Sequence, residues 1–177
     1  MPYEHLTHTF EPFYDESSRI LILGSFPSPK SREVNFYYGH PQNRFWKLLA
    51  YLLNEPVPGS IEDKKSLLTR HHIALWDVIE SCDITGASDS SIRHAVPNDI
   101  GRILQATRIQ AILINGATAW NLYHRYCEKQ TGRTAIRCPS TSPANAAFNL
   151  ERLIAEWGAY LTPLLTDTCH TKKDGLS

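Results

Sequence analysis

Residues 36–46 read FYYGHPQNRFW, three consecutive aromatics and then an asparagine at the threshold of an apolar, helix-like stretch. At such a threshold the ordinary role of Asn43 is to cap the helix. Its carboxamide also offers one acceptor and two donors, and it cannot act as a proton base. A group of that kind can hold a water in line with a reacting carbon, which is catalysis by positioning. Phe45 and Trp46 begin the apolar face of the helix and belong to its core. Tyr37 and Tyr38 lie among polar residues, so at least one can present a ring to a planar ligand; stacking on a nucleic-acid base is the usual reason to do so.

Two further segments could carry chemistry. Residues 24–28 (GSFPS) follow an apolar run. Glycine there lets the backbone turn tightly and approach a ligand, although the signal is weak alone and a structural turn is its more ordinary explanation. Residues 139–143 (PSTSP) combine small hydroxylated side chains with two prolines. Ser140, Thr141 and Ser142 suit close approach to phosphates, and a rigid turn is again the alternative. Other patterns are absent or empty. His71 and His72 lie at a helix end with no partner motif and read as a surface pair. Gly24 and Gly116 form neither a dinucleotide fingerprint nor a phosphate-binding loop, and no nucleophile elbow occurs.

These segments need a frame. Residues 20–23, 73–76, 109–114 and 134–137 read as short strands, most of them apolar on both faces. Helices are expected over residues 44–53, from a Ser60 cap to about 71, over 99–106, over 117–129 and from about 146 to 161. Residues 80–98 are polar and turn-rich and read as a surface loop. Strands alternate with helices, which favours a parallel sheet covered by helices, an α/β fold. In such sheets ligands bind where strands end, here at Gly24, Asp77, Asn115 and Cys138. Residues 1–165 are expected to form one domain, and residues 166–177 a polar, flexible tail.

Bulk properties narrow the class. The chain has 177 residues, 42% of them hydrophobic, enough to bury a core without metals or disulfides. Lysine and arginine total 18 and so do aspartate and glutamate, so no basic coat covers it. Affinity for phosphates would depend on where the charges sit, and Arg44 and Arg137 are candidate partners. The four cysteines show no metal or redox spacing and read as free thiols in a reducing compartment. No signal peptide or membrane-length apolar run is present. The reading is a soluble, cytoplasmic monomer.

Taken together, the segments resemble the uracil-DNA glycosylase superfamily, and within it the hypoxanthine-DNA glycosylase branch. The residues that carry the resemblance are LGSFPS at 23–28, FYYGHPQNRFW at 36–46, LWDV at 75–78, INGATA at 114–119 and PSTSPAN at 139–145. The resemblance implies a three-layer α/β/α domain around a four-stranded parallel sheet. It implies hydrolysis of an N-glycosidic bond in DNA containing a deaminated base, with no cofactor and no metal. Asn43 matches the asparagine this branch uses in catalysis, Tyr38 the position whose ring stacks on the extruded base, and residues 139–143 the loop that enters the minor groove. Three departures are informative. Ser25, Phe26 and Pro27 stand where many members carry an acid or an amide. Cys138 replaces a histidine that stabilises the leaving base, a poor exchange because a neutral thiol is a weak donor. Asp77 stands where uracil-specific relatives carry an asparagine. These changes argue against a powerful uracil enzyme.

The expected mechanism follows. The target base must be flipped out of the duplex. Tyr38, with Phe26, sandwiches it; backbone amides near Ser25 and Phe26 and the side chain of Asp77 or Asn115 read its edge. Asn43 orients water. Ser28, Ser140, Thr141 and Ser142 pinch the flanking phosphates, with Asn145 closing the DNA-binding loop. The alternatives are a uracil or G/U-mismatch enzyme on the same scaffold, or a nucleic-acid-binding module that has lost catalysis. A flavodoxin-like small-molecule binder fits the alternation of elements but explains neither the aromatic block nor the PSTSP loop.

Overall fold

The computed structural model describes the backbone of residues 2–174 and the side chains of residues 2–165. Strand β1 spans Glu4–Thr7 and β2 spans Ile20–Gly24. Every residue of β2 is buried, the pattern of a strand covered on both faces. Helices α1 (Pro29–Val34), α2 (Phe45–Leu52) and α3 (Ile61–Arg70) follow. Ser60 caps α3, its hydroxyl accepting from Asp63 N at 3.1 Å, with Glu62 and Asp63 in the first turn where the helix dipole favours them. Then come β3 (Ile73–Asp77), β4 (Ile79–Ile84), β5 (Arg93–Pro97), α4 (Ile100–Ala106), β6 (Ala111–Asn115), α5 (Ala117–Tyr126), α6 (Glu128–Thr131), β7 (Ile136–Cys138) and α7 (Leu150–Asp174).

β3, β2, β6 and β7 lie in that order in one sheet, and every neighbouring pair is parallel. Helices flank this sheet in a three-layer α/β/α arrangement. α3 packs on β3, α5 on β6 and β7, and α2 against α7, where the Phe45 and Trp157 rings meet edge to face at 6.2 Å. The sheet's register brings the carboxyl ends of its strands to one edge. Gly24 pairs with Asp77, and Asn115 pairs with Cys138.

Three expectations from the sequence need correction. Residues 80–98 are not a plain surface loop. β4 and β5 lie within them, and with β1 they form an antiparallel sheet in the order β1-β4-β5. Two register shifts interrupt the β4–β5 pairing, and β5 is mostly exposed, so the strand alternation is blurred in the sequence. The final helix begins at Leu150 rather than near 146, with Asn149 Oδ1 accepting from Arg152 N at 2.9 Å. It runs to Asp174, so the backbone of the expected tail is helical that far; residues 175–177 lie outside the described residues. The helix expected over 117–129 is two helices, α5 and α6, which meet at Cys127.

Cys82, Cys127 and Cys138 are free and buried. Cys169 lies outside the described side chains. Among the described residues, no helix is long and apolar enough to cross a membrane.

Candidate active site

The strand ends open onto a cleft of about 720 Å³, a size usual for small-molecule sites. Ser25, Phe26, Ser28, Tyr38, Asn43, Asp77, Asn115, Ser140, Thr141, Ser142 and Asn145 all line it. Every site residue expected from the sequence therefore reaches one cavity, but several are committed differently from expectation.

The floor is built around Gly24. A Cβ there would lie 2.5 Å from Asp77 Oδ1 and 3.2 Å from the Tyr38 hydroxyl. The missing side chain is what lets the carboxylate and the phenol close over the end of β2. Asp77 is buried, and its Oδ2 accepts from His8 Nε2 at 2.8 Å. Asn98 Nδ2 donates to the Asp77 carbonyl at 2.8 Å. Oδ1 has no hydrogen-bond partner among the described residues, so the side of the carboxylate next to Gly24 and Tyr38 retains its acceptor capacity.

The aromatic wall divides by role. Tyr37 is core: it is buried, and its hydroxyl donates to the Glu11 carbonyl at 3.0 Å. Trp46 Nε1 donates to the Tyr37 carbonyl at 3.1 Å and fixes the chain ahead of Tyr38. Tyr38 adopts a left-handed backbone, φ 54°, uncommon for a residue with a bulky side chain. Its ring packs on Phe45 with centroids 4.1 Å apart. Its hydroxyl is buried without a hydrogen bond. Burial first, and then the Asp77 charge, push its pKa far up, so the phenol stays protonated. The Asn115 amide is close enough to oppose that rise but lies outside hydrogen-bonding geometry. Such an unpaired buried donor is costly unless something fills it. Phe26 is buried at the edge of the cleft and meets the His8 ring edge-on at 6.1 Å.

Asn43 is not the N-cap of α2, which is Arg44; it stands one residue earlier and its amide reaches the first turn from there. Its Oδ1 accepts from Phe45 N at 2.9 Å and from the Thr141 hydroxyl at 2.8 Å. Because Phe45 N–H can only donate, the amide orientation is fixed and the NH₂ is what Asn43 can still offer. Asn115 grips the same threonine. Its Nδ2 donates to Thr141 Oγ1 at 2.9 Å and its Oδ1 accepts from Thr141 N at 3.0 Å. Asn115 is therefore spent largely on the loop rather than on a base. Arg44 is likewise structural. Its guanidinium donates to the carbonyls of Thr141, Ser142, Asn145 and Phe148, which leaves it no free fork for phosphate. Asn145 Nδ2 returns to the Ser140 carbonyl at 2.9 Å, and Trp157 Nε1 holds the Pro139 carbonyl at 2.9 Å. The 139–145 loop is thus held by hydrogen bonds from Arg44, Asn145 and Trp157. Arg137 is exposed and lines the cleft. Burial pushes the Cys138 thiol up to about 12, so it stays neutral. Ser28 caps α1: its Oγ accepts from Ser31 N at 3.2 Å and donates to Ser31 Oγ at 3.1 Å.

Three groups escape a reading of the sequence. His8 and Asn98 brace Asp77, and Asp89 reaches the cleft from the turn between β4 and β5. The Ser25 hydroxyl donates to Asp89 Oδ2 at 2.7 Å. As a residue Asp89 is exposed, but its carboxyl group is turned inward. Burial first, opposed by the Ser25 hydrogen bond and assisted by the Asp77 charge, raises its pKa above the usual carboxylate range. No local signal marks these residues, because their partners lie far along the chain. Among the described residues, no group of histidine, cysteine and acidic side chains is placed to hold a metal ion.

Comparison with known proteins places this geometry. Residues 11–161 match the family model described as the uracil DNA glycosylase superfamily. The chain is 34% identical over 152 residues to a hypoxanthine DNA glycosylase of Methanosarcina acetivorans, covering 85% of this chain and 94% of that protein. It is 35% identical over 109 residues to a hypoxanthine DNA glycosylase of Methanosarcina barkeri, covering 60% of this chain and 69% of that one. A Methanosarcina acetivorans protein solved in solution by NMR as a candidate uracil DNA glycosylase superposes with a TM-score of 0.76 at 32% identity, covering 89% of this chain and 98% of the other.

Proposed function

Because this chain belongs to the uracil DNA glycosylase superfamily, we propose that it is a monofunctional DNA glycosylase that initiates base excision repair, with hypoxanthine as its preferred target. It works inside the cell, as a monomer, on DNA containing a deaminated base. The observation that carries the reading is the floor of the cleft. A buried carboxylate with one free oxygen and an unpaired phenol meet over Gly24, beside a hydroxyl-rich loop. A carboxylate accepts from the imino N–H of a lactam base such as hypoxanthine, and it repels the bare ring nitrogen that adenine presents there. The two relatives carrying the name hypoxanthine DNA glycosylase support the same choice.

In this reading the target nucleotide is flipped into the cleft. Tyr38 stacks on the base and Phe26 borders it. Asp77 reads its imino edge, with backbone amides near Ser25 and Phe26 beside it. Asn43 donates from its NH₂ to the oxygen of the attacking water. Ser140 and Ser142 lie along the cleft to meet the flanking phosphates, with Arg137 as the cation among them; Ser28 is held by its own helix.

The test is excision from oligonucleotides carrying hypoxanthine, uracil or xanthine under single-turnover conditions. Fastest release of hypoxanthine is expected. Fastest release of uracil would favour a uracil or G/U enzyme. Tight binding to abasic DNA with no base released would leave a binding module.

A further inference from the structure

We propose that Asp89 is the proton acceptor for the water that attacks the sugar, taking the place of the acid that the first loop lacks. The inference rests on the glycosylase reading above and adds a catalytic residue to it.

Asn43 cannot act as the base. Its oxygen already accepts from Phe45 N and from Thr141. Its free NH₂ can hold a water by the oxygen but cannot remove a proton. The loop after β2 offers Ser25, Phe26 and Pro27, none of which is a base at neutral pH. Yet water that adds to a sugar carbon must lose a proton, and a positioned carboxylate is a suitable acceptor.

Two carboxylates line the cleft, Asp77 and Asp89. Asp77 is deep: it is 4% exposed and tied to His8, which suits reading a base edge. Asp89 stands on an exposed turn that lines the same cleft as Asn43, within reach of solvent. One of its oxygens accepts from Ser25; the other has no hydrogen-bond partner among the described residues. Its turn is internally fixed. Ser91 Oγ accepts from Thr85 N at 2.9 Å and donates to the Ser88 carbonyl at 2.6 Å. The carboxylate is therefore aimed by Ser25 and held by its own turn, the arrangement expected of a positioned base.

The step balances. The C1′–N9 bond breaks and its electron pair leaves with the purine. The water oxygen bonds to C1′ while one of its protons passes to Asp89. The purine anion then gains a proton from solvent or from Asp89, giving free base and an abasic sugar. The negative charge of Asp89 also opposes the positive charge that develops on the sugar before water bonds to it.

The test uses the full chain and inosine-containing oligonucleotides under single-turnover conditions. Asp89→Asn keeps the size and can still accept from Ser25. It should slow cleavage about 100-fold or more, the range of a lost general base, while binding of abasic DNA stays within about threefold. The pH profile supplies the second readout. The ionisable groups facing Asp89 are Asp77, with His8 behind it, Tyr38 and Cys82. An ionised Asp89 is required, so the wild-type rate should rise with pH through an ionisation above the usual carboxylate range. That limb should vanish in Asp89→Asn. In Ser25→Ala it should move to higher pH, because the hydrogen bond that favours the charged form is gone. Cleavage by Asp89→Asn within about threefold of wild type, or an unchanged rising limb, would overturn the proposal and leave the glycosylase reading standing. No base released by the wild-type protein from any oligonucleotide of the panel would overturn both.

Discussion

The Thr141 hydroxyl donates to Asn43 Oδ1 across 2.8 Å, so the Pro-Ser-Thr-Ser-Pro loop and the aromatic-to-asparagine block share one hydrogen bond. The bond consumes the amide oxygen and turns Asn43 into a pure donor. Substitutions can separate the two roles. Asn43→Ala loses both and should reduce single-turnover cleavage of inosine DNA by about 100-fold, the scale of a lost positioning group. Asn43→Asp keeps an acceptor for Phe45 N–H and Thr141 but has no NH₂. It should be as impaired as the alanine variant. Near-normal cleavage by Asn43→Asp would mean that the acceptor, and not the donor, is what matters.

His8 and Asp77 form a buried pair at 2.8 Å. Removing the imidazole strands a buried carboxylate, and breaking such a pair costs about 3 kcal/mol. Urea unfolding of His8→Ala should show a loss of that order, with His8→Gln recovering part of it through its amide donor. An unchanged midpoint for His8→Ala would show that the pair does not contribute to stability.

Gly24→Ala places a methyl 2.5 Å from Asp77 Oδ1. Something must shift, and the residues that would shift are the ones proposed to read the base. Excision should fall by about 10-fold or more, since displacements of an ångström at a site carry such penalties. Circular dichroism should show the folded protein retained. Wild-type activity in Gly24→Ala would remove the carboxylate and the phenol from the base slot.

Arg44 and Arg137 should respond differently to salt. Arg44 is committed to backbone carbonyls, so Arg44→Ala should destabilise the fold by about 2 kcal/mol, as loss of charged hydrogen bonds does. It should leave the salt dependence of DNA binding as it is. Arg137 is exposed in the cleft, and Arg137→Ala should lower the log–log salt slope by about one. A reversed pattern, with the slope falling for Arg44→Ala, would make Arg44 the phosphate contact.

The parallel sheet is legible in the sequence because its signals are local. ILIL before Gly24 and ILI before Asn115 are too apolar for anything but covered strands, and Ser60 announces α3 by its own chemistry. Membership of the cleft is legible for the same reason, since strand ends in an α/β sheet converge. Commitments within the cleft are not. Asn115, Ser28 and Arg44 look free in a linear string, yet Asn115 and Arg44 are bonded to residues up to 104 positions away, and Ser28 serves its own helix. His8 and Asp89 look like ordinary surface polar residues until β1 and β4 pair and carry them to Asp77 and Ser25. The small sheet itself is hidden because bulges break the alternation that would reveal β4 and β5.

That small sheet makes the cleft a seam. Gly24, Asp77 and Asn115 come from the parallel half, whereas His8 follows β1, Asn98 follows β5, and Asp89 sits between β4 and β5. β5 is a largely exposed edge, the kind of element whose amides exchange with solvent first. Fraying there detaches the brace from one acid and releases the turn that carries the other, with β2 and β6 still intact. Heat should therefore inactivate the protein at a temperature where its helical signal has not yet begun to fall.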